Sequence, residues 1–172
     1  MSDGSASFLM LAVGSATLAL ALTDIAEVLP TPRLAPVTSM PFVVRGVFML
    51  GGKSKVVIDL ARLLDLAEID QNGLFHHHIL LPRNAEDVAD AAILVRRATG
   101  TRTGVICPQP EEESFNGCVA ANVSFGDDLI PLLSLARLLT ALERQRLGEF
   151  SQRAAARASG WPSALDESAD EG

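Results

Sequence analysis

Three consecutive histidines, His76, His77 and His78, are the first residues whose types could do chemistry. In a strand the first and third would point to one face, where two imidazoles could share a metal ion. No cysteine or carboxylate lies at ligand spacing on the same element, and the two cysteines, Cys107 and Cys118, form no CxxC pair. We therefore predict a surface histidine cluster, with no metal and no cofactor bound by the chain.

Arg96, Arg97 and Arg102 flank a glycine-containing segment, and basic side chains beside the amides of a glycine turn suit an anion. A binding function is therefore open as an alternative, in which a hairpin bearing these arginines holds a phosphate-bearing ligand or single-stranded nucleic acid. Base stacking needs aromatic side chains, and the chain has seven Phe, one Trp and no Tyr. Its formal net charge of -7 also disfavours a nucleic-acid surface, which needs a basic stripe.

Asp59 is the carboxylate that most invites a catalytic interpretation, because an apolar strand pattern changes to helical spacing there. The chain repeats this context 75 residues later, since residues 58–64 read IDLARLL and residues 133–139 read LSLARLL. The equivalent of Asp59 is Ser134, and the two share the ability to cap a helix rather than acid chemistry. Without a P-loop, a GxSxG motif or a nucleophile beside a base, the chain is predicted not to be an enzyme.

The repeat predicts that one strand-rich unit is present twice. Each copy offers about five short apolar runs separated by turn residues, such as 8–13 and 17–22 around Gly14-Ser15. Short strands of this kind suit small closed barrels, which leave few open edges. The predicted fold class is mainly β, with two five-stranded barrels, short helices and a C-terminal helix.

Three segments between the strands carry predictions of their own. Thr23 and Asp24 suit the first turn of a helix, so one or two helical turns are predicted before Pro30. The four prolines between residues 30 and 41 predict an extended connector. The polar residues 67–77 are predicted to form the crossing between the two units.

The domain organisation is predicted from these runs and from the acidic composition of the last residues. It comprises a flexible N-terminus over 1–7, a first subdomain over about 8–75, a second over about 76–142, a helix over 143–158 and a disordered acidic tail over 159–172. The apolar residues 8–22 are too few to span ~30 Å of hydrocarbon, and no basic segment precedes them. Neither a membrane span nor an export signal is therefore predicted, and reduced cysteines favour the cytoplasm.

Four short strings follow one another along the chain: FLM at 8–10, DIAEVL at 24–29, PFVVRGV at 41–47 and VVIDL at 56–60. Each is short, and their order and spacing together are the specific feature. In this order they resemble the CheW family of chemotaxis coupling proteins, over roughly residues 8–142. The chain is thus similar to a known family of bacterial adaptors.

The resemblance implies a fold of two five-stranded SH3-like barrels and a scaffold function without catalysis. Such a protein would join a CheA-type histidine kinase, through its regulatory domain, to the cytoplasmic tips of chemoreceptors, with an apolar groove between the barrels. By position, Ile25, Glu27 and Val28 would fall on the segment that contacts receptors. Gly46 would be the glycine of a strand that lines the groove. The kinase would dock on the second subdomain, where the family motif is too diverged for residue assignments.

The sequence departs from the family pattern in the turn after Phe48. Where the family usually has Asn-Leu-Arg-Gly, this chain has Met49-Leu50-Gly51-Gly52. An arginine that commonly contacts partners is therefore absent. The region from Val105 to Gly117 is also rearranged relative to the family, with two prolines and three consecutive glutamates.

Overall fold

Ten β-strands and two α-helices lie within the residues that the computed structural model describes, namely 4–36, 38–39, 41–66, 76–108, 118–139 and 141–159. The strands are β1 (Ser5–Val13), β2 (Ala16–Ala21), β3 (Ile25–Pro30), β4 (Val44–Leu50), β5 (Lys53–Asp59), β6 (His78–Pro82), β7 (Ala92–Val95), β8 (Arg97–Pro108), β9 (Val119–Phe125) and β10 (Asp128–Leu133). The helices are α1 (Leu60–Leu63) and α2 (Ala141–Ser159), and 3-10 turns cover Leu22–Asp24, Ala85–Val88 and Leu135–Arg137.

The strands form two five-stranded sheets, which confirms the predicted fold class. Sheet A is a closed barrel in the order β1-β2-β10-β9-β8, and sheet B has the order β3-β6-β7-β5-β4. The chain passes from sheet A to sheet B through the 3-10 turn Leu22–Asp24, and returns through Arg96 between β7 and β8. Both passages are short, so the two sheets are held directly against each other.

The predicted division into consecutive subdomains, about 8–75 and 76–142, is wrong. Each sheet instead combines a hairpin from one half of the chain with three strands from the other half: β1 and β2 join β8 to β10, and β6 and β7 join β3 to β5. The duplicated unit is visible in this exchange, because β10 pairs in parallel with β2 as β5 pairs in parallel with β7. Residues 67–77 therefore connect two strands of the same sheet, and the predicted crossing there is also wrong; residues 67–75 themselves lie outside the described residues.

The proline-rich connector replaces a strand pairing in sheet B. In sheet A the long strand β8 pairs with β1 and then with β9, which closes the barrel. In sheet B the chain leaves β3 at Pro30, and among the described residues of the connector one bridge joins it to β4, where Ala35 and Val47 exchange backbone hydrogen bonds of 2.8 and 3.0 Å. Prolines lack the N–H that a longer ladder needs, so one bridge takes the place of a strand pair.

Two local predictions near the N-terminus need correction. Residues 25–29 form strand β3 rather than helical turns, because β6 lies alongside and satisfies their backbone groups. The helix-start signal of Thr23 and Asp24 produces one 3-10 turn and no more. The predicted flexible N-terminus is wrong for Ser5–Ser7, which pair with β8, while residues 1–3 lie outside the described residues.

The strands at the junction of the sheets are buried on both faces. On β1, Phe8 and Met10 point into the barrel, whereas Leu9 and Leu11 belong to the core between the sheets. This core also takes side chains from β2, β5, β7 and both helices, and a separate cluster fills sheet B. Burial on two faces explains why these segments read as continuous apolar runs instead of alternating ones.

Glycine at position 104 makes room inside the barrel. A Cβ atom there would lie 2.6 Å from the Phe125 ring and 2.7 Å from Val123. The ring also meets Phe8 edge to face, with the centroids 5.9 Å apart. The absence of a side chain on β8 thus lets an aromatic ring from β9 fill the barrel.

Asp59 caps α1, as predicted. It is 4% exposed, and its carboxylate accepts hydrogen bonds from the backbone N–H groups of Ala61 (3.0 Å) and Arg62 (3.3 Å). The same carboxylate lies 3.3 Å from Nε of Arg45 and 3.7 Å from Nε of Arg62. The capping role predicted for Ser134 is wrong, because its side chain makes no capping hydrogen bond to the 3-10 turn that follows.

The C-terminal helix α2 packs back onto the domain through Leu147 and Phe150, which join the core between the sheets. It begins at Ala141 and ends at Ser159, so it covers the helix predicted over 143–158. The tail predicted to be disordered from residue 159 includes this last helical residue. Residues 160–172 lie outside the described residues.

Replacing Asp59 and Ser134 tests how far the two copies have diverged. Asp59→Ala removes a helix cap and leaves Arg45 and Arg62 without this carboxylate, so we expect unfolding free energy to fall by about 2 to 3 kcal/mol. Ser134→Ala removes no capping bond and should change it by less than about 0.5 kcal/mol. Urea unfolding followed by circular dichroism measures the stability of both variants. Equal losses would contradict a capping role for Asp59 that Ser134 does not share.

Gly104 and Gly148 form a second matched pair. Gly104→Ala forces the Phe125 ring to move and should cost about 1 to 3 kcal/mol of unfolding free energy. A Cβ at Gly148, in α2, meets nothing within 4 Å, so Gly148→Ala should stabilise the protein by about 0.5 to 1 kcal/mol through helix propensity. Thermal unfolding of the two variants would show shifts of opposite sign, and a tolerated alanine at 104 would refute this packing.

Candidate partner-binding surface

Strand β3 presents an exposed, mixed surface at the edge of sheet B. Glu27 is exposed, Val28 is 38% exposed and Leu22, in the turn before the strand, is 39% exposed. We call Leu22, Glu27 and Val28 the β3 surface. It offers two apolar contacts and one carboxylate, which is a composition suited to binding a protein.

Ile25, the other residue predicted on this segment, points the opposite way. Its side chain is 5% exposed and belongs to the core between the sheets. A register shift between Ile25 and Glu27 marks a bulge in the pairing with β6. Ile25 therefore anchors the strand, and the exposed residues after the bulge form the surface.

Arg83 holds the beginning of β3 in place. Its backbone N–H donates to the carbonyl oxygen of Asp24 at 2.8 Å, and its Nη2 donates to the carbonyl oxygen of Ile25 at 3.3 Å. With the ladder to β6, these bonds fix the backbone on which the β3 surface lies. A partner would meet a preformed strand, which lowers the entropy cost of binding.

The negative charge of Asp24, which directly precedes β3, is disfavoured in the folded protein. Loss of surrounding water raises the pKa of Asp24, and the negative charge of Asp87 raises it further. Asp87 lies in the 3-10 turn that packs next to β6. The negative potential of these two carboxylates lies close to the β3 surface and favours cationic groups on a partner.

Gly46 lies on β4, at the opposite edge of sheet B, and is buried. A Cβ atom there would be 2.9 Å from the carbonyl oxygen of Ala35 and 2.9 Å from Cβ of Leu34. The glycine thus allows the connector to lie against β4. Gly46 positions the chain that leaves β3 and does not itself present a surface.

The four residues predicted to bind partners therefore divide into three kinds. Glu27 and Val28 are both exposed on β3, where consecutive residues point to opposite faces of the strand. Ile25 lies beneath them in the core, and Gly46 lies under the connector at the other edge. Any effect of the last two on binding would act through the position of the backbone.

The arginine group predicted as an alternative anion site does not form a hairpin. Arg97 and Arg102 lie on the single strand β8, and Arg96 precedes it. Arg102 stacks on the Phe125 ring, with its guanidinium carbon 4.8 Å from the centroid, and approaches Asp128 at 3.8 Å. These contacts hold Arg102 at one end of the barrel. The alternative function, binding of an anion by a hairpin that bears the three arginines, therefore loses the hairpin turn on which it depended.

The histidines and cysteines take structural positions. Nδ1 of His78 accepts a 2.9 Å hydrogen bond from the backbone N–H of Ala98, which links β6 to β8. Burial raises the pKa of the Cys118 thiol, and Glu143 raises it further. Among the residues that the structure describes, no three His, Cys, Asp or Glu side chains are grouped to hold a metal ion.

A second exposed feature, at Phe42, was not predicted from the sequence. Phe42 is 73% exposed and lies under Arg62, whose guanidinium carbon is 5.0 Å from the ring centroid and whose Nη1 donates to the Phe42 carbonyl oxygen at 3.1 Å. These two residues line a shallow pocket with Ala61, Asp65 and Leu66. A phenylalanine after Pro41 looks like a core residue in sequence, and no local pattern marks it as exposed.

Comparison with known proteins places the fold. Residues 7–143 match the model of the CheW-like domain. The crystal structure of the scaffolding protein TtCheW from Thermoanaerobacter tengcongensis has a similar fold, with a TM-score of 0.66 at 16% identity over 79% of this chain and 88% of that chain. No curated protein sequence matches the chain. Across the described residues, no helix combines the length and apolar character needed to cross a membrane.

The raised pKa of Asp24 predicts a pH-dependent difference between the protein and its Asp24→Asn variant. The folded protein disfavours the carboxylate form of Asp24. The contribution of this group to the free energy of unfolding is therefore fully present below the unfolded pKa near 3.8, and it is lost as pH rises through the folded pKa. Near neutral pH the variant should be more stable, by up to about 0.5 kcal/mol for a surface group. Urea unfolding across a pH series should show this gap closing in acid, and a constant or reversed gap would contradict it.

Proposed function

Because the chain belongs to the family of CheW-like domains, we propose that it is a non-catalytic adaptor that couples a CheA-type histidine kinase to chemoreceptors in a bacterial chemosensory array. The cytoplasmic tip of a receptor binds at the β3 surface. The regulatory domain of the kinase binds this chain at a surface other than the β3 surface. The protein acts in the cytoplasm, needs no cofactor and binds no nucleic acid.

The observation that supports receptor binding is the arrangement of β3 itself. A backbone fixed by Arg83 and by the ladder to β6 exposes Val28 and Leu22 as apolar contacts and the carboxylate of Glu27 on the same edge of sheet B, with Glu27 and Val28 on opposite faces of the strand. Apolar residues at the centre of a contact supply affinity, while a charge at the rim selects the partner and its orientation. A helical receptor tip with a cationic side chain beside an apolar stripe fits this composition.

A non-catalytic function is supported by the chemistry of the interior. Asp59 is neutralised by two arginines and engaged in capping, and the Cys118 thiol contacts the carbonyl oxygens of Arg137 and Leu138 at 3.6 and 3.7 Å. Among the described residues, both groups serve the fold and neither is placed beside a general base at a surface. Binding is then the activity that the exposed residues provide.

Charge reversal on β3 tests the receptor contact. Glu27→Lys should weaken binding of a receptor cytoplasmic fragment by about tenfold or more, because it repels the cationic partner group. Val28→Glu should weaken it similarly by placing a charge in the apolar contact. Asp127→Lys, on the exposed turn between β9 and β10, carries the same charge change on the other sheet and should bind normally. Isothermal titration calorimetry measures each affinity.

Two results would count against this assignment. Unchanged receptor binding in both β3 variants would remove the β3 surface from the contact. Equal loss in Asp127→Lys would indicate that overall charge, and not a specific surface, governs binding. Measuring the kinase regulatory domain with the same variants separates the two partners, because only a shared site would weaken both.

A further inference from the structure

One end of sheet B carries a row of polar side chains where three strands stop. The last pairs of the ladder join β3, β6 and β7 through Pro30, His78 and Val95. The next residue on each of these segments belongs to one further row, which consists of Thr31, His77 and Arg96. The backbone N–H of Thr31 donates to the carbonyl oxygen of His77 at 3.2 Å, so this row continues the pairing of β3 with β6. We call these three residues the end row.

Two side chains of the end row bury polar atoms. Oγ1 of Thr31 and Nε of Arg96 are both buried, and neither makes a hydrogen bond to any of the residues that the structure describes. Buried polar atoms in folded proteins are almost always paired, because an unpaired one forfeits the hydrogen bonds that it makes to water in the unfolded chain. The two atoms therefore indicate that another group binds at the end row.

The end row lies where the apolar interior of sheet B stops. Ile79 and Leu94, each two residues from a member of the row, belong to the cluster that fills this sheet. Residues two apart on a strand point to the same face, so the end row follows directly on that cluster. Both unpaired atoms are covered by protein, and a ligand that reaches them must therefore be small.

The strand ends around this row carry positive charge and no negative charge. Residues 30–36, 76–79 and 94–98 together contain three arginines and three histidines, and no aspartate or glutamate. The whole chain has 21 acidic and 14 basic residues, so this concentration of cationic groups runs against its overall charge. A positive potential beside buried hydrogen-bond donors favours an anion over a neutral ligand.

One carboxylate on a neighbouring strand is already engaged. Asp59 of β5 pairs with Leu94 of β7, which places it one step inside the end row. Its carboxylate lies 3.3 Å from Nε of Arg45 and 3.7 Å from Nε of Arg62, and it caps α1. Asp59 thus serves two other arginines and does not take the place of an anion at Arg96.

We propose that the end row binds a small oxyanion, with the chemistry that phosphate and carboxylates share. Arg96 donates from Nε, an atom that is only ever a donor, and the hydroxyl of Thr31 donates a second hydrogen bond to the same anion. His77 lies between them and supplies the backbone that holds the two donors in one row. This site differs from the hairpin hypothesis of the sequence, because Arg97 and Arg102 take no part in it. The bound anion joins the ends of β3 and β7 at the point where the chain leaves β3 for the connector.

Titration of the full chain with inorganic phosphate, in chloride buffer at constant ionic strength, tests this inference. The NMR signals of the Arg96 Nε–H and the Thr31 amide should shift as phosphate is added, and calorimetry gives the affinity. Arg96→Gln should weaken phosphate binding at least about tenfold, because it removes the charged donor. Arg102→Gln is the matched control, since Arg102 contacts Phe125 and Asp128 on sheet A. It should bind phosphate like the unaltered protein.

A second variant keeps the test valid if Arg96→Gln fails to fold. Thr31→Val preserves the shape of the side chain and removes the hydroxyl, so it should weaken phosphate binding by about three- to tenfold. Thermal unfolding in chloride shows whether each variant is folded. Acetate in place of phosphate distinguishes the two kinds of anion, because the kind that the site selects binds more tightly.

Three results would overturn the inference. If the unaltered protein binds neither phosphate nor acetate, ordered water is the partner of the two buried atoms. Binding that persists in folded Arg96→Gln and Thr31→Val would place the anion elsewhere. Equal loss in Arg102→Gln would indicate that the total positive charge, and not the end row, attracts the anion.

Discussion

The core between the two sheets is the constraint on which the rest of the structure depends. Strands β1, β2, β5 and β7 each supply one face to this core and the other face to the interior of their own sheet. Their side chains are thus committed twice, and neither sheet can move without exposing apolar surface of the other. The chain also crosses between the sheets at Leu22–Asp24 and at Arg96, so the two sheets are linked covalently as well as by packing.

Such a rigid body determines where a partner can bind. The strands at the centre have no exposed face, so exposed strand residues lie mainly at the edges of sheet B and on the outside of the barrel. On the edge strand β3, Ile25 enters the core while Glu27 and Val28, after a bulge, face solvent. The same bulge therefore anchors the strand and displays the residues that carry the proposed receptor contact.

Local features of the fold were predictable because local residues determine them. The glycines at positions 51 and 52 both have positive φ, and they join β4 to β5 where the sequence indicates a turn. The capping carboxylate of Asp59 was predictable for the same reason. The exchange of strands between halves was not, since it depends on which sheet a strand meets in space and each hairpin would look the same in either arrangement. Sequence also could not show that Phe42 is exposed, because core and surface phenylalanines precede strands alike.

The duplicated unit shows how one sheet can keep its fold while its counterpart acquires a different surface. In sheet A the pairing of β8 with β9 closes the barrel. In sheet B prolines reduce the corresponding pairing to the bridge between Ala35 and Val47, so β3 keeps an edge. An open edge with a carboxylate suits a specific partner. Because the shared core packs the two sheets against each other, the edge strand β3 is held in a fixed position relative to the barrel.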